Sequence, residues 1–339
     1  MAKLPKKEIT LFDGVTVFAL AIATNLVVQF VFGAVMALSG NTGDYAQLVF
    51  MVVAQIAWLT TTTVYFCLRN FNPRLRFPIE EARPNAALSV VLPVLSVAGF
   101  ALLAVWFQFF LAKIGYNSSA GVEFDTPGKM ALGIIATVIL APFCEELIFR
   151  GLLFSGLCKK FNPYIAALMS AVAFAFMHMN PEQTVYQLLL GYACAIAAYK
   201  SGSIVSSMVL HSGSNLIVVL LGGALDKIVD ALIRMPAVAV VVTVLLALGC
   251  GAAIFGVCVA MKKIDDKFPR KNAKESDEAS TESAKTDGCA ADTVKAEEVA
   301  VAPEKTNSKN VVSYVIYGVT LGVCVITWIM VFVVAMVGA

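Results

Sequence analysis

Five ionisable side chains, cysteine and tyrosine aside, lie inside stretches of the sequence that are otherwise apolar. They are Glu145, Glu146, Arg150, His178 and His211, and the two histidines are the only ones in the chain. A charged side chain at the centre of a membrane span costs about 2.5 to 3.5 kcal/mol, so such residues usually face the bundle interior and mark a functional site. A carboxylate that takes a proton from water, an imidazole that orients this water, and donors that hold a developing oxyanion are together sufficient for hydrolysis. The five residues therefore predict hydrolytic chemistry within a membrane.

The spacing within the first cluster separates the roles of its members. Glu146 and Arg150 are four residues apart with the glutamate first, which favours an ion pair on one helix face. Glu145 is rotated by about 100° from Glu146 on a helix, so it points elsewhere and remains available for chemistry. Pro142 lacks a backbone N–H group, and we expect the helix to be bent or opened just before the glutamates.

The two histidines each have a partner one helical turn away. Phe174 precedes His178, so its ring can pack beside the imidazole, and Asn215 follows His211, so both can point at one substrate oxygen. If the helices that carry Glu145 and His178 form a hairpin, His178 lies about 7 Å beyond the level of Glu145. Long side chains and a modest tilt can close that gap.

The elements that must position these residues are membrane helices. The chain has 339 residues, of which 59% are hydrophobic, and a mean hydropathy of +0.81, values typical of an integral membrane protein. We predict an all-α, polytopic membrane helix bundle with about eight or nine transmembrane helices. The nine candidate spans cover residues 14–39, 46–68, 87–112, 130–157, 162–179, 184–199, 203–224, 235–261 and 312–338.

The chain divides into five regions along this pattern. All the ionisable residues of the spans fall in a core at 130–224, which follows N-terminal spans at 1–129. An eighth span lies within 225–261 and an accessory C-terminal span within 312–339. The region 262–311 between them is rich in charged and small residues, and we expect it to be a disordered linker.

Charge distribution indicates the orientation in the membrane. The net charge of +2 is too small to indicate nucleic-acid binding. Basic residues instead cluster in alternate loops, which by the positive-inside rule places the N-terminus in the cytoplasm of a multi-pass cell membrane protein. These residues are Lys3, Lys6, Lys7, Arg69, Arg74, Arg76, Arg83, Lys159, Lys160 and Lys200.

The three clusters together resemble the CPBP family of intramembrane proteases, which includes type II CAAX prenyl endopeptidases and bacteriocin-processing and immunity proteins. The family signature EExxxR, FxxxH and HxxxN stands here as Glu145 to Arg150, Phe174 to His178, and His211 to Asn215. The resemblance implies that Glu145 activates water, that His178 holds it, and that His211 with Asn215 stabilises the oxyanion. By the same resemblance Glu146 and Arg150 are structural, Phe174 supports the site, and the substrate is a membrane-bound or lipid-linked protein or peptide.

Other interpretations of the same residues remain open. Glu145, His178 and His211 are a donor set that could bind a divalent metal such as zinc, although the HExxH spacing of many zinc proteases is absent. The serines Ser207, Ser212 and Ser214 near His211 would allow a serine nucleophile, but this would leave the glutamates unexplained. The hydrolytic interpretation requires no cofactor, and the oligomeric state is not determined by the sequence.

Two functions other than hydrolysis also fit a polar membrane cavity. The protein could be a non-enzymatic scaffold or bacteriocin-immunity protein that binds a peptide or partner there. It could also be a transporter of cations or protons, because intramembrane carboxylates suit that role. No inverted repeat of the spans that bear the motifs supports transport.

Overall fold

The protein is described here by a computed structural model that covers residues 6–40, 43–70, 72–77, 84–116, 122, 124–267 and 308–337. The predicted disordered linker at 262–311 lies largely outside the described residues. Its first six residues are described and are helical, because the preceding helix continues to Lys267.

Nine helices account for most of the described residues, and each corresponds to one of the nine predicted spans. A 3₁₀ turn at Pro84–Val91 precedes the third helix, and another at Pro181–Gln183 precedes the sixth. The helices are α1 Leu11–Ser39, α2 Asp44–Leu68, α3 Leu92–Lys113, α4 Pro127–Leu157, α5 Pro163–Met177, α6 Thr184–Ser201, α7 Ile204–Ile233, α8 Pro236–Lys267 and α9 Ser308–Val337.

Six of these helices, counted over the described residues, are long and apolar enough to cross a membrane: α1, α2, α3, α4, α8 and α9. The prediction of an all-α polytopic membrane bundle is therefore confirmed. The fifth, sixth and seventh predicted spans are helical too but fall outside this set. With 15 residues, α5 is about 22 Å long and so shorter than a bilayer core of about 30 Å.

Local sequence signals explain where several helices begin and end. At the start of α1, the Thr10 side chain accepts a hydrogen bond from the Asp13 backbone, and the Asp13 side chain accepts one from the Thr10 backbone. This reciprocal pair is a capping box, which satisfies two backbone donors at the helix start. Gly40 ends α1 and Gly202 ends α6, with φ values of 65° and 72° that favour glycine.

The helix α4 is irregular around the glutamates. Its residues Ile134–Leu140 and Leu147–Phe154 form π-helical turns on either side of the α-helical segment Ala141–Glu146. The helix is therefore widened before the glutamates, in the region where Pro142 predicted an opening. π-helical turns are frequent at functional sites. In the second stretch, the Arg150 carbonyl accepts a hydrogen bond from Ser155 Oγ at 3.2 Å.

The first and last helices pack against this region and hold α4 and α5 in place. A Cβ on Gly14 of α1 would lie 2.7 Å from the Leu152 carbonyl oxygen of α4, so glycine permits this close crossing. In α9, the Tyr317 hydroxyl donates to the Met169 carbonyl of α5 at 2.8 Å. The indole N–H of Trp328 donates to Thr184 Oγ1 at 2.8 Å, at the start of α6.

Loops with basic residues gather at one end of the bundle. The segments β1 (Lys6–Glu8) and β2 (Asn72–Arg74) pair as two parallel strands, which the all-helical prediction did not include. Nearby, Lys159 forms an ion pair with Glu8, and Arg76 Nη1 donates to the Cys158 carbonyl at 3.4 Å. Lys3 and Arg83 lie outside the described residues.

The opposite end carries an acidic cluster around one lysine. Lys129 Nζ lies 2.7 Å from Asp44 Oδ2 and 2.8 Å from Asp125 Oδ1. The hydrogen bond from the Lys129 ammonium lowers the pKa of the Asp125 carboxyl below the ordinary value. The Lys129 ammonium thus connects the start of α2 with the start of α4.

The charge pattern predicted that Lys200 lies in a loop, and this prediction is wrong. It lies in the last turn of α6 and is buried, and its Nζ donates to the Tyr164 hydroxyl at 2.8 Å. The ammonium also lies 5.2 Å and 5.4 Å from the ring centres of Tyr164 and Tyr199. A lysine can be buried in this way because its charge is hydrogen-bonded and faces aromatic rings.

Candidate active site

The structure brings Glu145 and both histidines together. Glu145 Oε2, on α4, lies 4.0 Å from His178 Nε2 at the end of α5 and 3.9 Å from His211 Nε2 on α7. Glu145 and His211 are buried, with 6% and 2% of their surface exposed. The two side chains thus approach each other despite the gap of about 7 Å that hairpin counting left between Glu145 and His178.

The hydrogen bonds of the two imidazoles fix which nitrogen faces Glu145. His178 Nδ1 lies 2.9 Å from the Phe174 carbonyl oxygen, which can only accept, so Nδ1 carries the proton. His211 Nδ1 lies 2.9 Å from Glu146 Oε1 and donates to this carboxylate in the same way. Both Nε2 atoms are therefore directed at one carboxylate oxygen, where they can contact the same small molecule.

Glu146 and Arg150 form the ion pair that their spacing predicted. Arg150 Nη1 lies 2.8 Å from Glu146 Oε1, and both side chains are fully buried. Arg150 Nη2 donates to the Gly191 carbonyl oxygen of α6 at 2.9 Å. The pair therefore connects α4 to α6 directly, and through Glu146 it orients His211 on α7.

The Phe174 ring lies at the centre of these contacts. The Arg150 guanidinium carbon is 4.4 Å from its centroid, a cation–π distance. The His178 and His211 rings meet it edge to face at centroid distances of 4.8 Å and 5.6 Å. Phe174 thus fixes both imidazoles by packing and is not itself a reactive group.

Asn215 is on the same side of α7 as His211 but is already partly engaged. Its Nδ2 donates to the Thr137 carbonyl oxygen of α4 at 2.7 Å. Thr137 lies in the first π-helical stretch of α4, where each carbonyl pairs with the N–H group five residues on, but five residues after Thr137 is Pro142, which has no N–H group. One amide hydrogen therefore joins α7 to α4, and the second remains for another acceptor.

Comparison with known proteins adds to this geometry. The family model described as type II CAAX prenyl endopeptidase Rce1-like matches residues 127–217, the segment from the start of α4 into α7 that contains all three motifs. Residues 127–217 are therefore similar to type II CAAX prenyl endopeptidases, and we call them the matched segment. The putative membrane peptidase YdiL of Bacillus subtilis (strain 168) is 27% identical over 185 residues, which are 52% of this chain and 72% of the relative. No solved structure matches the chain. These matches support intramembrane protease activity for an integral membrane protein.

A residue that the motifs did not indicate also contacts the matched segment. Gln55, on α2 and outside the matched segment, lies with its Nε2 3.4 Å from Glu145 Oε1. A search for ionisable groups in the sequence misses this uncharged amide. The available signal was a glutamine in the middle of the apolar run that forms α2.

Two of the three serines considered as nucleophiles, Ser207 and Ser214, have other partners. Ser207 Oγ donates to the Ile204 carbonyl at 2.9 Å, and Ser214 Oγ donates to the Leu210 carbonyl at 2.8 Å. Both bonds lie within α7 and direct the hydroxyls at their own helix. Ser214 Oγ also lies 2.7 Å from Ser96 Oγ of α3, a contact between helices.

The side chains of Glu145, His178 and His211 are of types that bind zinc, but their donor atoms are too far apart for direct zinc bonds. Direct zinc bonds of about 2.0 to 2.2 Å imply ligand atoms about 3.3 Å apart, whereas Glu145 Oε2 is 3.9 Å and 4.0 Å from the two Nε2 atoms. Within the described part of the chain, no group of three or more His, Cys, Asp or Glu side chains meets the geometry of a metal site. Polar atoms at these separations can instead hydrogen-bond to one shared water molecule, because each can lie about 2.7 to 3.0 Å from its oxygen.

Gly191 permits the close approach of α6 to the buried arginine, which gives a testable prediction. A Cβ at this position would lie 3.0 Å from Phe174 Cδ1 and 3.3 Å from Arg150 Nη2. We expect Gly191→Ala to lower the free energy of unfolding by about 1 to 3 kcal/mol, because the ring and guanidinium must shift. Unfolding of the purified protein in detergent measures this.

Gly249→Ala is the matched control, because a Cβ there meets nothing within 4 Å on α8. Removing glycine from a helix interior without strain should raise stability by about 0.5 to 1 kcal/mol. Equal responses of the two variants would contradict the role given to Gly191.

Proposed function

We propose that this protein is an intramembrane endopeptidase in which Glu145 activates a water molecule to hydrolyse a peptide bond. The observation that carries this proposal is the buried carboxylate of Glu145, which faces the Nε2 atoms of His178 and His211 at 4.0 Å and 3.9 Å. A water molecule between these groups has a proton acceptor on one side and an orienting imidazole on the other.

The reaction proceeds in two proton transfers. A water molecule held between Glu145 and His178 gives a proton to Glu145 as its oxygen attacks the carbonyl carbon of the substrate. The resulting tetrahedral intermediate carries an oxyanion. When it collapses, the carbon–nitrogen bond breaks, and the proton held by Glu145 passes to the leaving amine. Glu145 is ionised again at the end, so the cycle needs no other co-reactant.

His211 is suited to stabilise the oxyanion when it is protonated. With Glu145 and Glu146 ionised, Arg150 balances only one of two buried negative charges. An imidazolium at His211 makes the group neutral, with its Nδ1–H group donating to Glu146 and its Nε2–H group facing the reacting atoms. Preorganised donors of this kind contribute strongly to catalysis in sites that exclude water.

Asn215 contributes the second oxyanion donor in this proposal. The hydrogen of Nδ2 that is not bound to Thr137 is available to the substrate oxygen. The bond to Thr137 also fixes the amide, which removes the cost of orienting it during the reaction.

We further propose that the substrate is a membrane-bound or lipid-linked protein or peptide. The family model carries the description of a type II CAAX prenyl endopeptidase, so a prenylated peptide is one substrate to test. The basic end of the bundle, where Lys159 meets Glu8, favours a cytoplasmic N-terminus in the cell membrane. The scaffold alternative becomes the better account if peptides bind without being cut.

The test uses purified protein in liposomes, as wild type and as Glu145→Gln. Each is incubated with a pool of membrane-anchored peptides, prenylated and unprenylated in matched pairs, and new termini are identified by mass spectrometry. We expect products with the wild type alone. Equal cleavage by both proteins would contradict the proposal, and bound but uncut peptides would support the scaffold function.

A parallel set of reactions with a metal chelator tests the zinc hypothesis separately. If Glu145 and the histidines act without an ion, turnover is unchanged by the chelator. Loss of activity that added zinc restores would instead mean that Glu145, His178 and His211 hold a metal, and that this metal polarises the water.

A further inference from the structure

We propose that Gln55 is a positioning residue for the Glu145 carboxylate, an inference that rests on the proposed hydrolytic function. Its side-chain amide donates to one oxygen of Glu145 and thereby directs the other oxygen at the reacting water. Glu145, the proposed general base, is thus held by a side chain of α2, a helix outside the segment that the family model matches.

The two oxygens of Glu145 have different surroundings. Oε1 receives the Gln55 Nε2 donor at 3.4 Å, whereas Oε2 faces the two imidazoles. The terminal torsion angle of a glutamate side chain has a broad distribution, so a carboxylate without a fixed contact rotates easily. A donor on Oε1 restricts this rotation. The contact is long for an N–H···O bond, as catalytic hydrogen bonds often are before substrate binds.

The backbone carbonyl of Gln55 is also held by a contact with α4. Cys144, next to Glu145 in the chain, donates through Sγ to the Gln55 carbonyl oxygen at 3.6 Å. Gln55 is 7% exposed, so its side chain has little freedom to turn away. The amide orientation follows from the contact, because a carbonyl oxygen turned towards the carboxylate would be repelled.

The second polar atom of Gln55 indicates that the site holds another molecule. Among the described residues, its Oε1 atom is buried and has no hydrogen-bond partner. An unsatisfied buried acceptor costs about 1 to 3 kcal/mol, so such atoms usually meet a donor in the working state. Both hydrogens of the reacting water are used by Glu145 and His178, so the donor to Gln55 Oε1 is an N–H group of the substrate or a second water molecule.

The test measures kcat and KM in liposomes for Gln55→Met, which keeps the length of the side chain and removes the amide. We expect kcat to fall about 10- to 100-fold with KM within about 2-fold, because only the orientation of the base is lost. Gln55→Asn, which keeps an amide but is one methylene shorter, should lose a similar factor. Gln47→Met, the same change nearer the start of α2, is the control and should retain wild-type kcat.

Coupling to Glu145 separates positioning from a general effect on folding. In a Glu145→Asp background the shortened carboxylate no longer reaches the amide, so adding Gln55→Met should lower kcat by less than about 3-fold. A loss equal to that in the wild type would overturn the proposal. A changed KM with unchanged kcat would overturn it as well, because Gln55 would then bind substrate.

The outcomes also distinguish this inference from the function on which it rests. If Glu145→Gln is inactive and both Gln55 variants keep the wild-type kcat, the positioning role is wrong and the protease function stands. If Glu145→Gln is itself active, the proposed function fails.

Discussion

Glu145→Gln is expected to reduce kcat by about 10³-fold or more while the protein remains folded. Glutamine has the shape of glutamate but cannot take a proton from water, and a general base contributes about 10²- to 10⁴-fold. The Glu145 carboxylate accepts a long hydrogen bond from Gln55 and stands about 4 Å from the two imidazoles, so little structure depends on its charge. Turnover in liposomes and the thermal midpoint in detergent measure the two effects independently.

Glu182→Gln is the control for this experiment. Glu182 follows α5 in the 3₁₀ turn Pro181–Gln183, near the end of the helix that leads to His178 but outside the catalytic group. We expect this variant to retain wild-type turnover. A Glu145→Gln protein that is folded and fully active would contradict the assignment of Glu145 as the base.

Arg150→Met is expected to cause the largest loss of stability, about 3 to 5 kcal/mol. The substitution leaves the Glu146 carboxylate buried with no arginine to balance it, and breaking one side of a buried ion pair has costs of this size. It also removes the bond to the Gly191 carbonyl that connects α4 with α6. The free energy of unfolding in detergent and the amount of protein in the membrane both report the effect.

The double variant Glu146→Gln with Arg150→Met tests whether the unbalanced charge is the cause. Because no buried charge of the pair remains, we expect much of the lost stability to return. The side-chain oxygen of the introduced glutamine would still accept a hydrogen bond from His211 Nδ1, so the imidazole keeps a partner. If the double variant is as unstable as Arg150→Met alone, packing around Phe174 and not charge accounts for the loss.

Much of this architecture followed from patterns that are local in the sequence. The apolar runs predicted nine helices, and the spacing of Glu146 and Arg150 predicted an ion pair that the structure contains. Helix periodicity is set by the backbone, so neighbours one turn apart can be recognised without knowledge of the fold. Counting from the turn after α4 left His178 about 7 Å beyond the level of Glu145, and in the structure the two side chains are 4.0 Å apart.

The remaining features depend on contacts between residues far apart in the chain. Gln55 is 90 residues from Glu145, and no local pattern indicates which helix face α2 presents to α4. The bond from Asn215 to Thr137 depends on a π-helical stretch, which the sequence indicated only as an opening near Pro142. The short pairing of β1 with β2 arises where two loops meet at one end of the bundle.

The short length of α5 creates a hydrophobic mismatch beside the site. At about 22 Å the helix falls about 8 Å short of a typical hydrocarbon core, so the bilayer must thin there or the following turn must lie below its surface. The turn can do so because Asn180 and Thr184 satisfy its polar groups internally. His178 stands at this end of α5. The acyl chain length of the surrounding lipids therefore helps to set how far water must travel to reach the imidazole.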